Sequence, residues 1–141
     1  MADTYIATVK NSIGSKMFRN LYAKVNGQKT DIVQNGNLSC AFYVSSILVL
    51  FKLIKEVHAT VNGTVRDMKK SGWTETKKPK IGCVLVWQEA DFTNGSLHKH
   101  IGFYMGNEKA ISNNYKKGYP IKHDWKFRKI ELMLWHPDLK N

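Results

Sequence analysis

The chain has 141 residues, 43% hydrophobic and 23% charged, and its 22 Lys and Arg against 11 Asp and Glu give a formal net charge of +11. That length is enough for one domain, residues 1–141, with a core that needs no metal or disulfide support; the two cysteines, Cys40 and Cys83, are too few for a disulfide scaffold and read as free thiols. The charge favours polyanions such as nucleic acid, anionic membrane or acidic wall polymer, yet no basic helix and no aromatic-basic nucleic-acid motif accompanies it.

The N-terminus, Met1-Ala2-Asp3-Thr4-Tyr5, lacks the basic-then-apolar pattern of a leader. The longest apolar run, Ala41 to Ile54, is interrupted by Ser45, Ser46 and Lys52 and is shorter than a membrane span. The expectation is a protein that is cytoplasmic at synthesis and does not insert into membranes, with release by a dedicated route or by lysis left open. Across residues 4–24, Ile6, Val9, Ile13, Met17 and Leu21 recur at intervals of three or four, which predicts an amphipathic helix ended by Asn26-Gly27. Residues 28–38 are polar, with a tight turn at Asn35-Gly36-Asn37.

Ser39 then stands where a helix cap belongs and Cys40 at the first helical position. Apolar residues on nearly every side predict a buried central helix from Cys40 to about Glu56. Its N-terminal amides and dipole favour thiolate over thiol, which suits a nucleophile; a buried structural cysteine is the competing reading. Asn62-Gly63 marks a turn before a short helix, Thr64 to Lys70, closed by Ser71-Gly72-Trp73. After Pro79 the period changes to that of strands: Ile81–Trp87, His98–Met105, Lys109–Asn114, Tyr119–Trp125 and Phe127–Trp135. Helices first and antiparallel strands second give an α+β fold, with the cysteine helix packed on a sheet of about five strands.

A nucleophilic cysteine needs a base, usually histidine. Of the five histidines, His98 and His100 share a face at the start of a strand, and His100 adjoins Gly102, which leaves space for an approaching element. A third polar group should orient the imidazole from the next strand. A turn at Gly106-Asn107 places Asn113 opposite His100, and a turn through Glu108 places Asn114 opposite with Ser112 diagonal. His123-Asp124, one strand further on, is another source. Gln34 or Asn37 could donate a side-chain hydrogen bond to an oxyanion, though either could equally cap a turn. His98-Lys99-His100 has ligand types for zinc but is a weak signal at that spacing, and no metal site or cofactor is expected.

Three stretches, Ser39-Cys40-Ala41-Phe42-Tyr43-Val44-Ser45, Ile81-Gly82-Cys83-Val84-Leu85-Val86-Trp87 and His100-Ile101-Gly102-Phe103-Tyr104-Met105-Gly106-Asn107, resemble in order and spacing the NlpC-like cysteine peptidases and the related CHAP amidases. The resemblance covers roughly residues 30–125 and implies a papain-like fold, a Cys40 nucleophile, a His100 base and cleavage of peptide or amide bonds in peptidoglycan through an acyl-enzyme. The family's third residue, commonly His, Asn or Gln, falls by spacing on Ser112; serine orients an imidazole poorly, and Asn113 or Asn114 would take over after a small register shift. The family's Asp-Cys-Ser-Gly is absent here, and Cys83 stands where its central strand has an acidic residue. A papain-like binding module without chemistry, gripping nucleic acid or wall polymer through its positive charge, is the alternative.

Overall fold

The computed structural model describes residues 1–91 and 96–140. Helix α1 spans Ala2–Asn11 and buries Tyr5 and Val9. It stops far short of the predicted Asn26-Gly27, because Ile13 and Met17, which extend its spacing, are exposed, and the chain turns at Gly14 with φ +79°. Beyond it a hairpin forms from β1 (Tyr22–Val25) and β2 (Gln28–Asp31). Asn26 and Gly27 take φ of 52° and 79° at its tip, the two-residue turn that Asn-Gly favours between antiparallel strands. The strands therefore do not all follow the helices, as the sequence order suggests.

Helix α2, Cys40–Leu50, is shorter than predicted. Lys52 adopts φ 57°, and the N–H groups of Lys52 and Leu53 return to the carbonyls of Val49 and Leu48, a left-handed stop that turns the chain away before Glu56. The side chains of Tyr43, Val44 and Leu48 are fully buried, each worth roughly 1.5–3 kcal/mol in removal from water. Ser45 is polar but not orphaned: its hydroxyl donates to the His58 carbonyl and accepts the His58 N–H. Helix α3, Val61–Lys70, starts three residues earlier than predicted, since Thr60 is its cap and accepts the N–H of Gly63 through its side chain.

The main sheet is antiparallel and has six strands, in the order β3 (Thr74–Glu75), β8 (Ile130–Trp135), β4 (Val84–Asp91), β5 (Leu97–Gly106), β6 (Lys109–Asn114) and β7 (Tyr119–Asp124). Together with the two-stranded hairpin, this exceeds the expected five strands. Side-chain alternation divides the sheet's apolar residues between two faces. Val84, Val86, Ile101 and Phe103 join the core beneath the helices, while Leu85, Trp87 and Tyr104 form a second cluster with Trp125 packed against it. The fold is α+β, with helices packed on antiparallel strands.

Two features position the segment that leads into α2. The Asn113 side-chain amide donates to the Gly36 carbonyl at 2.8 Å. Gly36 lies so close to Gly118 that a Cβ on it would come within 2.5 Å of the Gly118 Cα, so the turn before the cysteine rests directly on the turn between β6 and β7.

Candidate active site

Strands β5 and β6 pair at Phe103 with Ile111 and at Tyr104 with Ala110, then close through Asn107 and Glu108, whose φ angles are 50° and 60°. This is the register of the longer turn in the sequence reading, with Ser112 diagonal to His100. Ser112 lies against Gly102, where a Cβ would come 2.7 Å from the Ser112 Cβ and 2.8 Å from the Ile111 carbonyl oxygen. The space kept at Gly102 thus serves the neighbouring strand rather than a helix.

Beyond Phe103 and Ile111 the paired ladder ends, and α2 contacts both strands. Cys40, half-buried at the start of α2, meets the backbone N–H of Ile101, next in the chain to His100. Cys40 and His100 line one cleft of about 450 Å³ together with Asn37, Glu89, Asn113 and Tyr115. Ser39 caps the helix by position only: its buried hydroxyl makes no cap bond and has no partner among the described residues.

Burial pushes the Cys40 thiol up to about 11, although the N–H groups of Ile101, Ala41 and Cys40 itself and the Arg128 charge pull it down. Burial takes His100 down to about 3, and the charges of Arg128 and His123 act in the same direction. At neutral pH both groups are uncharged in the substrate-free protein.

The His100 Nε2 shares a hydrogen bond of 2.8 Å with the Ser112 hydroxyl, which shares another of 2.6 Å with the His123 Nε2. The His123 Nδ1 lies 2.7 Å from the Asp124 carbonyl oxygen. Trp87 pairs with His100 across β4 and β5 and holds its ring centroid 5.3 Å from His100 and 5.6 Å from His123. The Trp87 indole N–H is itself fixed by the Trp125 carbonyl at 2.7 Å. Phe127 closes on both imidazoles edge-to-face.

The remaining sequence-predicted residues are distributed around this group. Asn113 lines the cleft but spends its amide on Gly36, and its buried Oδ1 has no partner among the described residues. Asn114 accepts the N–H groups of Lys116 and Lys117 and so caps a turn. Asn37 lines the cleft, whereas Gln34 lies in the exposed turn before it and accepts from the Asn37 amide at 3.5 Å. His98 is half-buried on the cleft wall, and among the described residues no three His, Cys, Asp or Glu side chains gather as a metal site.

No protein-family model matches the chain, and no curated protein matches it.

Arg128 was missed by sequence reasoning. It donates to the Gln88 carbonyl at 3.3 Å and lines a second cleft, about 240 Å³, with His100, Ser112, His123 and Phe127. Nothing local marks it: it precedes β8 as one more cation in a basic stretch, and only the sheet order, with β8 beside β4, brings it to the site.

Both cysteines are free, and Cys83 is fully buried in the cluster of Leu85, Trp87 and Tyr104. No helix among the described residues is long and apolar enough to cross a membrane.

Proposed function

We propose that this protein is a papain-like cysteine hydrolase that cleaves amide bonds through Cys40 and His100, with bacterial wall peptides as the substrate class the motif resemblance suggests. The observation that carries this reading is the shared cleft, which Cys40 at a helix N-terminus and His100 on a strand both line. Behind the imidazole, Ser112 holds Nε2.

Both groups start neutral, so the proton leaves the thiol for His100 as the sulfur attacks the amide carbonyl. The two charges then appear together, each offsetting the desolvation of the other. The backbone N–H of Cys40 at the positive end of α2, with the Asn37 side chain on the cleft wall, would stabilise the oxyanion; one such donor is worth roughly 3 kcal/mol. Imidazolium protonates the leaving amine, and water taken up by the regenerated base clears the acyl-enzyme.

Zymography on cell walls, run beside a panel of peptide amides, tests the assignment. Cys40→Ala and His100→Ala should each abolish turnover while the far-ultraviolet spectrum stays unchanged, and a turnover-competent Cys40→Ala protein would overturn it.

One observation favours a second reading. A thiol held at about 11 is a poor resting nucleophile, and with a charge of +11 the same fold could serve as a polyanion-binding module. Salt-sensitive nucleic-acid or wall-polymer binding by a protein that an acyl-type cysteine probe does not label would select that reading.

A further inference from the structure

We propose that His123 is a positioning residue that sets the tautomer of His100 through the Ser112 hydroxyl. This rests on the reading of His100 as the base and adds the device that keeps it one. A serine hydroxyl carries one hydrogen and can donate or accept, so Ser112 alone would hold either tautomer of His100. The groups behind it remove that freedom.

The proton positions follow from the acceptor at the end of the chain. The Asp124 carbonyl oxygen, 2.7 Å from the His123 Nδ1, can only accept, so Nδ1 carries the hydrogen. In a neutral imidazole the His123 Nε2 is then a lone pair. The Ser112 hydroxyl, 2.6 Å away, donates to it. With its hydrogen spent, the Ser112 oxygen accepts at 2.8 Å from the His100 Nε2, which therefore bears a hydrogen. The lone pair of His100 is left on Nδ1. On the proposed reading that nitrogen takes the thiol proton, and the chain stays intact afterwards, because imidazolium still donates from Nε2.

The reverse chain would disarm the site. A proton on the His123 Nε2 would make that nitrogen a donor, turn the Ser112 hydroxyl towards His100 and leave the His100 hydrogen on Nδ1. The groups facing His123 are Asp124 on its own strand, Lys109 on β6, His100 on β5, and the Trp87 and Phe127 rings, with Arg128 on the same cleft wall. Burial and Lys109 disfavour the charged form, while Asp124 opposes them, and the net direction is downward. His123 thus stays neutral, and the relay points one way, at neutral pH.

Long-range proton–nitrogen NMR of the imidazoles in the full chain tests this without any substrate. The expected wild-type spectrum has His100 protonated at Nε2 and His123 protonated at Nδ1. In His123→Phe, His100 should populate both tautomers. His123→Gln, whose side-chain oxygen can accept from Ser112, should return His100 to the Nε2–H form. With an amide substrate in hand, kcat of His123→Phe should fall about 10- to 100-fold at unchanged KM, no more than the lower end of the roughly 10²–10⁴ that a whole general base contributes, and His123→Gln should recover most of it. A wild-type His100 protonated at Nδ1 overturns the proposal even if no variant folds, and so does an unchanged tautomer in His123→Phe. The expected tautomers in a protein with no amide turnover would support the relay and remove the hydrolase reading alone.

Discussion

Burial moves the Cys40 thiol and the His100 imidazole in opposite directions on the pH scale, and both displacements favour the uncharged form. The helix N-terminus and Arg128 act on the thiol in the other direction without cancelling its burial. Reactivity should therefore rise with pH rather than level off. Alkylation of Cys40 by iodoacetamide is expected to accelerate about tenfold per pH unit from neutrality to near pH 10, as an unpaired thiol of high pKa does. A plateau around neutral pH would instead reveal a thiolate–imidazolium pair already formed in the free protein. Two caps show the same dependence on surroundings. Thr60 binds the Gly63 N–H and closes α3, while Ser39, an equally good cap by residue type, is buried and bonds nothing among the described residues.

At the scale of elements, α3 and the segment after α2 are joined by one carboxylate. Asp67 accepts the N–H groups of Lys55 and Glu56, the Ser71 hydroxyl and the His58 imidazole, the last at 2.7 Å. Burial would raise its pKa, but the His58 bond and the other donors outweigh that and hold it at about 2. The folded value lies below the roughly 3.9 of an unfolded aspartate, so the stabilisation is complete above about pH 4 and is lost as pH falls towards 2. Asp67→Asn should lower Tm at neutral pH, and the gap to wild type should narrow across that acidic window in a thermal-melt series. An equal gap at every pH would mean that the carboxylate charge contributes nothing.

The elements also differ in how plainly the sequence announces them. Strand β6 matches its predicted bounds, and β5 extends one residue beyond them at each end, because both are short runs buried on both faces and meet at turn residues. Strands β1 and β2 have almost no buried side chain, so their polar residues carry no period, and Asn26-Gly27 read as a helix stop. The overrun of α1 had a similar origin: Ile13 and Met17 keep helical spacing, but exposed residues with that spacing bury nothing.

For the molecule as a whole, the charge of +11 is the property least tied to any one element. Retention on an immobilised polyanion should weaken linearly in the logarithm of salt concentration, with a slope that counts the cations engaged. Retention indifferent to salt would show that the cations are dispersed too widely to act together. The site was legible in part for a related reason. Cys40 and His100 each carry a local signature, an apolar helix behind a cap-type residue and a strand start beside glycine, while Ser112 was one of three neighbours that two possible registers left open. The assignment of His123 behind Ser112, and the arrival of Arg128, depend on the order of strands in the sheet, which no local pattern encodes.

The contact between Gly36 and Gly118 also orders events during synthesis. The turn that delivers Cys40 is seated on a turn made 82 residues later (118 − 36), and Asn113, which ties it down, comes almost as late. A nascent chain that has emerged only as far as α3 carries its sulfur without the floor beneath its loop or the strand that bears His100. On the reading proposed above, the cleft would be complete only once β6 and β7 have emerged, so the helix that bears the thiol waits for the strands that floor it.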